Sequence, residues 1–221
     1  MPKPNLSFSP DPSRFARHVE TLRSSLTGSD APLLAANTGA TFQMLEAEQG
    51  VFHLPLWGQA TDLSYPDYIA RDRSTGQELP LVSQALLLYY FATADGTPAE
   101  QGWIAFSELP DGRFYNQAFQ GYTGRELARA FQNDFQAFES AAGALGGIRM
   151  KTGPTMPGDL AFAFQALPRV PLLVAAWLGD EDFPPSFQIL FDASVSHYLS
   201  TDSCAILGSM LTRKLIARRL N

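Results

Sequence analysis

A single cysteine, Cys204, stands in the 221 residues of this chain. It leaves no internal disulfide, no cysteine zinc site and no iron–sulfur cluster that the chain can hold by itself. Histidine is nearly as scarce: His18, His53 and His197 show no HExxH or HxH spacing, which argues against a histidine metal site. Long apolar runs are missing as well. The greasiest stretches, 86–91 and 170–178, fall far short of the ~18–20 residues that cross a bilayer, so no membrane association is expected. Charge is sparse at 17%, and its balance is acidic, with 16 Lys+Arg against 22 Asp+Glu and a net charge of −6. That balance argues against nucleic-acid binding through a general positive field. No Gly-x-Ser-x-Gly elbow occurs, and the glycines at 153 and 158 are not followed by the Lys-Ser/Thr of a phosphate loop.

What is present is core. With 45% hydrophobic residues, a 24.2 kDa chain can bury about 70% of its unfolded surface and needs no metal or disulfide to fold. Residues 1–12 carry Pro2, Pro4, Pro10 and Pro12 and no apolar signal-peptide segment, so they read as a flexible arm. Residues 13–221 read as one domain, and the cytoplasm is the simplest compartment. Ser13 is placed to cap a first helix, whose face is Phe15, Val19, Leu22 and Leu26 and whose stop is Gly28. Residues 41–57 predict a hairpin turning at Glu48-Gln49-Gly50, and Arg73-Ser74-Thr75-Gly76 predicts the turn of a second one.

Residues 81–94 are apolar nearly all round and predict a buried helix, followed by a strand over 103–106 and a turn at Pro110-Asp111-Gly112. A stripe through Leu127, Phe131, Phe135, Phe138, Ala142 and Leu145 predicts helix over 123–145, with a capping-box break near Asn133 and a stop at Gly146-Gly147. Strands are predicted over 160–164, 170–177 and 187–191. A closing helix is then capped by Ser200 or Thr201, with Cys204, Leu207, Leu211 and Leu215 on one face. Strands in groups with helices between them indicate an α+β fold: a mainly antiparallel sheet packed against several helices, closed by the C-terminal helix.

Several stretches in order carry a resemblance to a known family. They are Leu86-Leu87-Leu88-Tyr89-Tyr90, Trp103-Ile104-Ala105-Phe106-Ser107-Glu108-Leu109-Pro110, and the Leu145-Gly146-Gly147 stop. Most specific are Ala166-Leu167-Pro168-Arg169-Val170-Pro171 and Trp177-Leu178-Gly179-Asp180-Glu181-Asp182-Phe183-Pro184, followed by Ile189-Leu190-Phe191-Asp192 and His197-Tyr198-Leu199. From about residue 39 to 215 the chain resembles a domain family of unknown function found mainly in anaerobic bacteria and archaea. Some relatives carry a cysteine-rich iron–sulfur module ahead of the domain, which implies a link to redox or corrinoid metabolism. This chain lacks those cysteines, so the resemblance implies any cluster would come with a partner protein. It transfers no catalytic residue.

The residues themselves offer a few candidates. Asp180, Glu181 and Asp182, with Asp192 ten residues on, are the candidate acids. If the flanking strands return them to one sheet end, Asp180, Asp182 and Asp192 would suit a hard cation, or a carboxylate pair would serve as general acid or base. The plainer reading is a solvated turn stiffened by Pro184-Pro185. His197 is a candidate axial ligand or proton shuttle, or simply a loop histidine. Ser194 and Ser196 beside His197 and Asp192 invite a hydrolase triad, but residues so close in sequence rarely meet its geometry.

Arg169, between two strands, is the candidate ligand-binding residue for a carboxylate or phosphate, or else a partner for Asp159 or Asp180. Cys204 reads as core, and the aromatics Tyr89, Tyr90, Phe131, Phe135 and Phe138 as packing. Arg213, Lys214, Arg218 and Arg219 suit a helix C-terminus or an acidic partner. Three readings of function follow: a non-catalytic binding or accessory module for a partner protein or small cofactor, a divalent-cation enzyme built on the acidic corner, and a purely structural interaction domain. No particular cofactor is indicated.

Overall fold

The computed structural model describes residues 12–219, apart from 47, 101, 133, 152, 154 and 155. Of the expected arm at 1–12, all but Pro12 lies outside the described residues. Helix α1 (Pro12–Ser25) buries Val19 of its expected stripe, and Leu26 just past its end is buried too. A short helix that apolar periodicity does not mark follows, α2 (Ala31–Thr38). Its cause is local chemistry: Asp30 accepts a hydrogen bond from the Leu33 N–H at 2.9 Å, a proline sits in the first turn, and Gly39 ends the helix at φ 69°.

The expected hairpin over 41–57 forms as β1 (Thr41–Glu46) and β2 (Gln49–Leu56). Its turn falls slightly earlier than expected, at Glu48 with φ 64°, and the register slips between Met44 and Glu46. Trp57 and Gly58 then make a second tight turn, both with positive φ (54° and 75°), into the unexpected strand β3 (Gln59–Tyr65). Such left-handed pairs match the twist of a two-residue hairpin. The short β4 (Ala70–Asp72) pairs with β3, so the hairpin expected across 73–76 is reduced to a single bridge, Arg71 to Glu78. The sheet order is β1-β2-β3-β4, antiparallel throughout.

The expected buried helix is α3 (Leu81–Thr93). Strand β5 (Trp103–Ala105) follows, then a 3₁₀ turn, and helix α4 (Gly112–Tyr122) begins at the glycine of the expected turn. The helix expected over 123–145 divides into α5 (Gly124–Phe131) and α6 (Phe135–Ala144). Asp134 caps α6 by accepting from the Ala137 N–H at 3.0 Å, while Asn133 lies outside the described residues. The unexpected two-residue β6 (Ile148–Arg149) comes next. The chain then forms β7 (Leu160–Leu167), β8 (Val170–Trp177), β9 (Ser186–Asp192) and the closing helix α7 (Thr201–Arg219). The second sheet has the order β5-β9-β8-β7-β6 and is also antiparallel. The fold is therefore α+β with antiparallel sheets against helices, as expected, but with two sheets where one was anticipated. No described helix is long and apolar enough to cross a membrane.

The two sheets meet where the Trp57 N–H donates to the Ala166 carbonyl at 2.8 Å, and one cluster of buried side chains draws on both. The Trp57 indole N–H, by contrast, is buried with no acceptor among the described residues, a state that costs about 1–3 kcal/mol. Helix α7 lays Cys204, Leu207, Leu211 and Leu215 into this core, all fully buried. It crosses α4 closely: a Cβ at Gly208 would fall 2.6 Å from the ring of Phe119, so only glycine fits there. Leu207→Ala should cost about 2–5 kcal/mol in chemical denaturation. A loss below about 0.5 kcal/mol would show that α7 is not a core element.

Candidate functional site

The β8–β9 connection holds Asp180, Glu181 and Asp182 on the surface. Asp180 organises the loop: its Oδ1 accepts from the N–H groups of Asp182 (2.9 Å) and Phe183 (2.8 Å), and its own N–H donates to the Phe183 carbonyl. Asp192 closes the other end of β9, about 20 Å away by the rise of a seven-residue strand. The structure therefore does not bring Asp192 to the acidic corner. Among the described residues, no group of three or more His, Cys, Asp or Glu is placed to hold a metal ion.

Arg169 lies at the same sheet end as Asp192, because antiparallel pairing sets Leu172 opposite Phe191 and puts the β7–β8 turn beside the end of β9. His197 follows in the 3₁₀ turn after β9. Three of the expected site residues thus converge, and with them come groups that sequence reasoning did not single out. The Asp192 Oδ1, buried, accepts from the Ser194 hydroxyl (2.6 Å), the Ser194 N–H (3.0 Å) and the Glu100 N–H (3.1 Å). His197 Nδ1 lies 2.7 Å from Asp95 Oδ2 and 3.2 Å from the Thr97 hydroxyl. Tyr198 donates its hydroxyl to the Thr97 carbonyl. Tyr90 donates its hydroxyl to the Thr38 carbonyl at 2.5 Å and accepts the Arg169 N–H at 3.1 Å.

The geometry does not build a Ser–His–Asp relay. A relay needs the acid and the nucleophile on opposite nitrogens of one imidazole. Here Asp95 and Thr97 share Nδ1 of His197, while the Ser194 hydroxyl goes to Asp192. The second histidine–carboxylate pair is similar. His53 Nδ1 meets Asp62 at 2.7 Å, Arg73 Nε donates to the same carboxylate oxygen at 2.7 Å, and the other ring nitrogen faces the amide of Gln43.

Electrostatics follow from these contacts. The hydrogen bond from His197, helped by the N–H of Thr97, holds the Asp95 carboxyl down at about 2, below its ordinary 3.8. Burial pushes the Tyr90 hydroxyl well up, and burial also raises Tyr198, where Arg169 acts in the opposite direction and Asp95 and Asp192 add to the rise. Arg169 therefore stands within electrostatic reach of both phenols. Its Nε would lie 3.3 Å from a Cβ at Gly39, so its stem runs across the end of α2. Arg169 as a residue is half-buried, and its guanidinium makes no ion pair among the described residues. Cys204 is sealed in the core, where burial drives its thiol far up and keeps it unreactive.

One signal for the missed groups was available in the sequence. Asp95-Gly96-Thr97 is a turn tripeptide directly after the α3 pattern, and Asp95 accepts from the Thr97 N–H at 2.9 Å as such a turn requires. Its meeting with His197, about a hundred residues away, had no such signal.

The sequence profile of a family described as a domain of unknown function, DUF3786, matches residues 30–214, most of the chain. No curated protein and no solved structure matches.

Two outcomes are expected. In NMR titrations the Asp95 carboxyl should protonate near pH 2 and return towards 3.8 in His197→Ala. Because the folded value is the lower one, any stability from this pair is present above pH 3.8 and is lost as pH falls through about 2. An unchanged midpoint in the variant would remove His197 as the cause. Replacing Asp180 and Asp182 by Asn should change the melting temperature little, since an Asn oxygen still accepts the loop N–H groups, and Mg²⁺ or Ca²⁺ should stabilise neither protein. A metal-dependent rise confined to the wild type would instead make the corner a cation site.

Proposed function

The chain belongs to the DUF3786 family, and from that premise we propose that it is a non-catalytic binding module whose receptor group is Arg169. The observation that carries this reading is Arg169 itself, half-buried, within electrostatic reach of two tyrosine hydroxyls and without a carboxylate partner among the described residues. A guanidinium presents five N–H donors in a planar fork that matches a carboxylate or phosphate bidentately. Both phenols donate to backbone carbonyls, so they position the site and leave the fork for the ligand. Asp95 and Asp192, whose charges reach Tyr198 as that of Arg169 does, already accept several hydrogen bonds each.

The ligand is therefore a small anion, and a carboxylate- or phosphate-bearing cofactor fits the implied link to redox or corrinoid metabolism. A cytoplasmic location belongs to the same reading and is supported by a lone, buried, free thiol. Docking of a partner protein is favoured by a separate observation on α4. Phe114, 84% exposed, and Tyr115 border an open cleft that also presents Asp111 and Asp202.

Thermal unfolding with added phosphate or citrate tests the reading. The wild type should gain RT ln(1 + [L]/Kd), about 2.7 kcal/mol at a hundredfold excess over Kd, while Arg169→Gln gains nothing and Phe114→Ala behaves as wild type. Equal stabilisation of the wild type and Arg169→Gln, or none in either, contradicts it.

A further inference from the structure

We propose that the seam between the two sheets is a second binding site, which takes a short monocarboxylate with an apolar body. A pocket of about 200 Å³ opens there, walled by Pro55, Trp57, Leu145, Phe164 and Leu211, with Lys214 among its lining residues. Its walls are fixed by the backbone. The Trp57-Gly58 turn is tied to β7 through the Ala166 carbonyl, and the stop of α6 packs so closely that a Cβ at Gly147 would meet the Phe164 ring at 2.7 Å.

Two donors on residues that line this pocket lack partners among the described residues. The Trp57 indole N–H is buried with no acceptor among the described residues, and buried polar groups in native proteins are nearly always paired. Lys214 is half-buried on α7, and its ammonium makes no ion pair among the described residues. No acid lines the pocket, and Gln165, which does, gives its amide hydrogens to the carbonyls of Leu167 and Pro168. An apolar wall with one unpaired cation is complementary to an alkyl or aryl group ending in a carboxylate, and the buried Trp57 indole behind that wall reports on the pocket. The volume lies below the roughly 300–1,000 Å³ of drug-sized sites, which limits the ligand to a short chain or a single ring. This site is independent of Arg169.

Hexanoate and phenylacetate are suitable probes, with hexanol supplying the apolar body alone and acetate the charge alone. The reporter is the Trp57 indole N–H resonance, assigned by its absence in Trp57→Phe. Either carboxylate probe should move this signal saturably, whereas hexanol and acetate should bind at least about tenfold more weakly. Lys214→Gln should weaken hexanoate by about tenfold and leave the fold intact, since Lys214 has no partner to lose. Arg169→Gln should leave hexanoate binding unchanged. An indole signal that stays still, hexanol binding as tightly as hexanoate, no effect of Lys214→Gln, or loss of hexanoate binding in Arg169→Gln would each overturn the assignment. If Trp57→Phe does not fold, the indole signals of Trp103 and Trp177 are assigned by their own Phe variants and the same comparisons stand.

Discussion

Strand β8 sends Val170, Leu172, Val174 and Ala176 to one side of its sheet and Leu173 and Ala175 to the other, and all six are buried. A strand dry on both faces has to lie inside its sheet, and β8 is third of five. It also requires two covers. On one side α5, α6 and α7 supply a packed set of rings and aliphatic side chains, with Phe138 and Phe187 edge to face at 5.1 Å. On the other side Met150, Met156, Trp103 and Trp177 pack over Ala161, Leu173, Ala175 and Leu190. Both covers are consequences of the same constraint, because an uncovered face would return apolar surface to water at about 25 cal/mol per Å².

The placement of chemistry follows from the same strand. Because β8 runs the depth of the sheet, its two ends are held apart, and each receives a different set of polar residues. The Arg169 end collects Asp192, His197, Tyr198 and Asp95, while the Asp180 end is a self-contained loop. Most carboxylates near Arg169 are already committed to backbone N–H groups or to His197. The stem of Arg169 runs against Gly39, and its guanidinium makes no ion pair among the described residues. The two phenols are held for an ordinary reason: each is buried and donates to a backbone carbonyl.

Elements whose cause is apolar periodicity were legible from the residues alone. The stripe of α7, the all-round apolarity of α3 and the β7–β8 pair carried enough signal in one window to fix type and position. Elements fixed by capping or by pairing were not. Helix α2 depends on Asp30 and Gly39 rather than on a stripe, and β3, with Asp62 and Ser64 between its apolar residues, becomes a strand because β2 lies beside it. The break between α5 and α6 was visible, and the described cap is Asp134, one residue after the Asn133 at which the expected box began. The site was legible only in part: Arg169, Asp192 and His197 were each noticed. Their separation from Asp180 depends on strand direction, and the contribution of Asp95 depends on a contact about a hundred residues long.

Free backbone N–H and C=O groups on the edges of the two sheets are templates for another chain. Among the described residues, β4 and β5 offer three residues each and β6 only two, too little to register a foreign strand. The long edge is β1, and it carries the exposed apolar side chains of Met44 and Leu45. At that point the ladder slips, between Met44 and Glu46, and a bulge of this kind bends the strand and increases its local twist. The protein thus guards its edges by shortness on three sides and by irregularity on the fourth, so resistance to edge-to-edge aggregation rests on the few residues around Leu45.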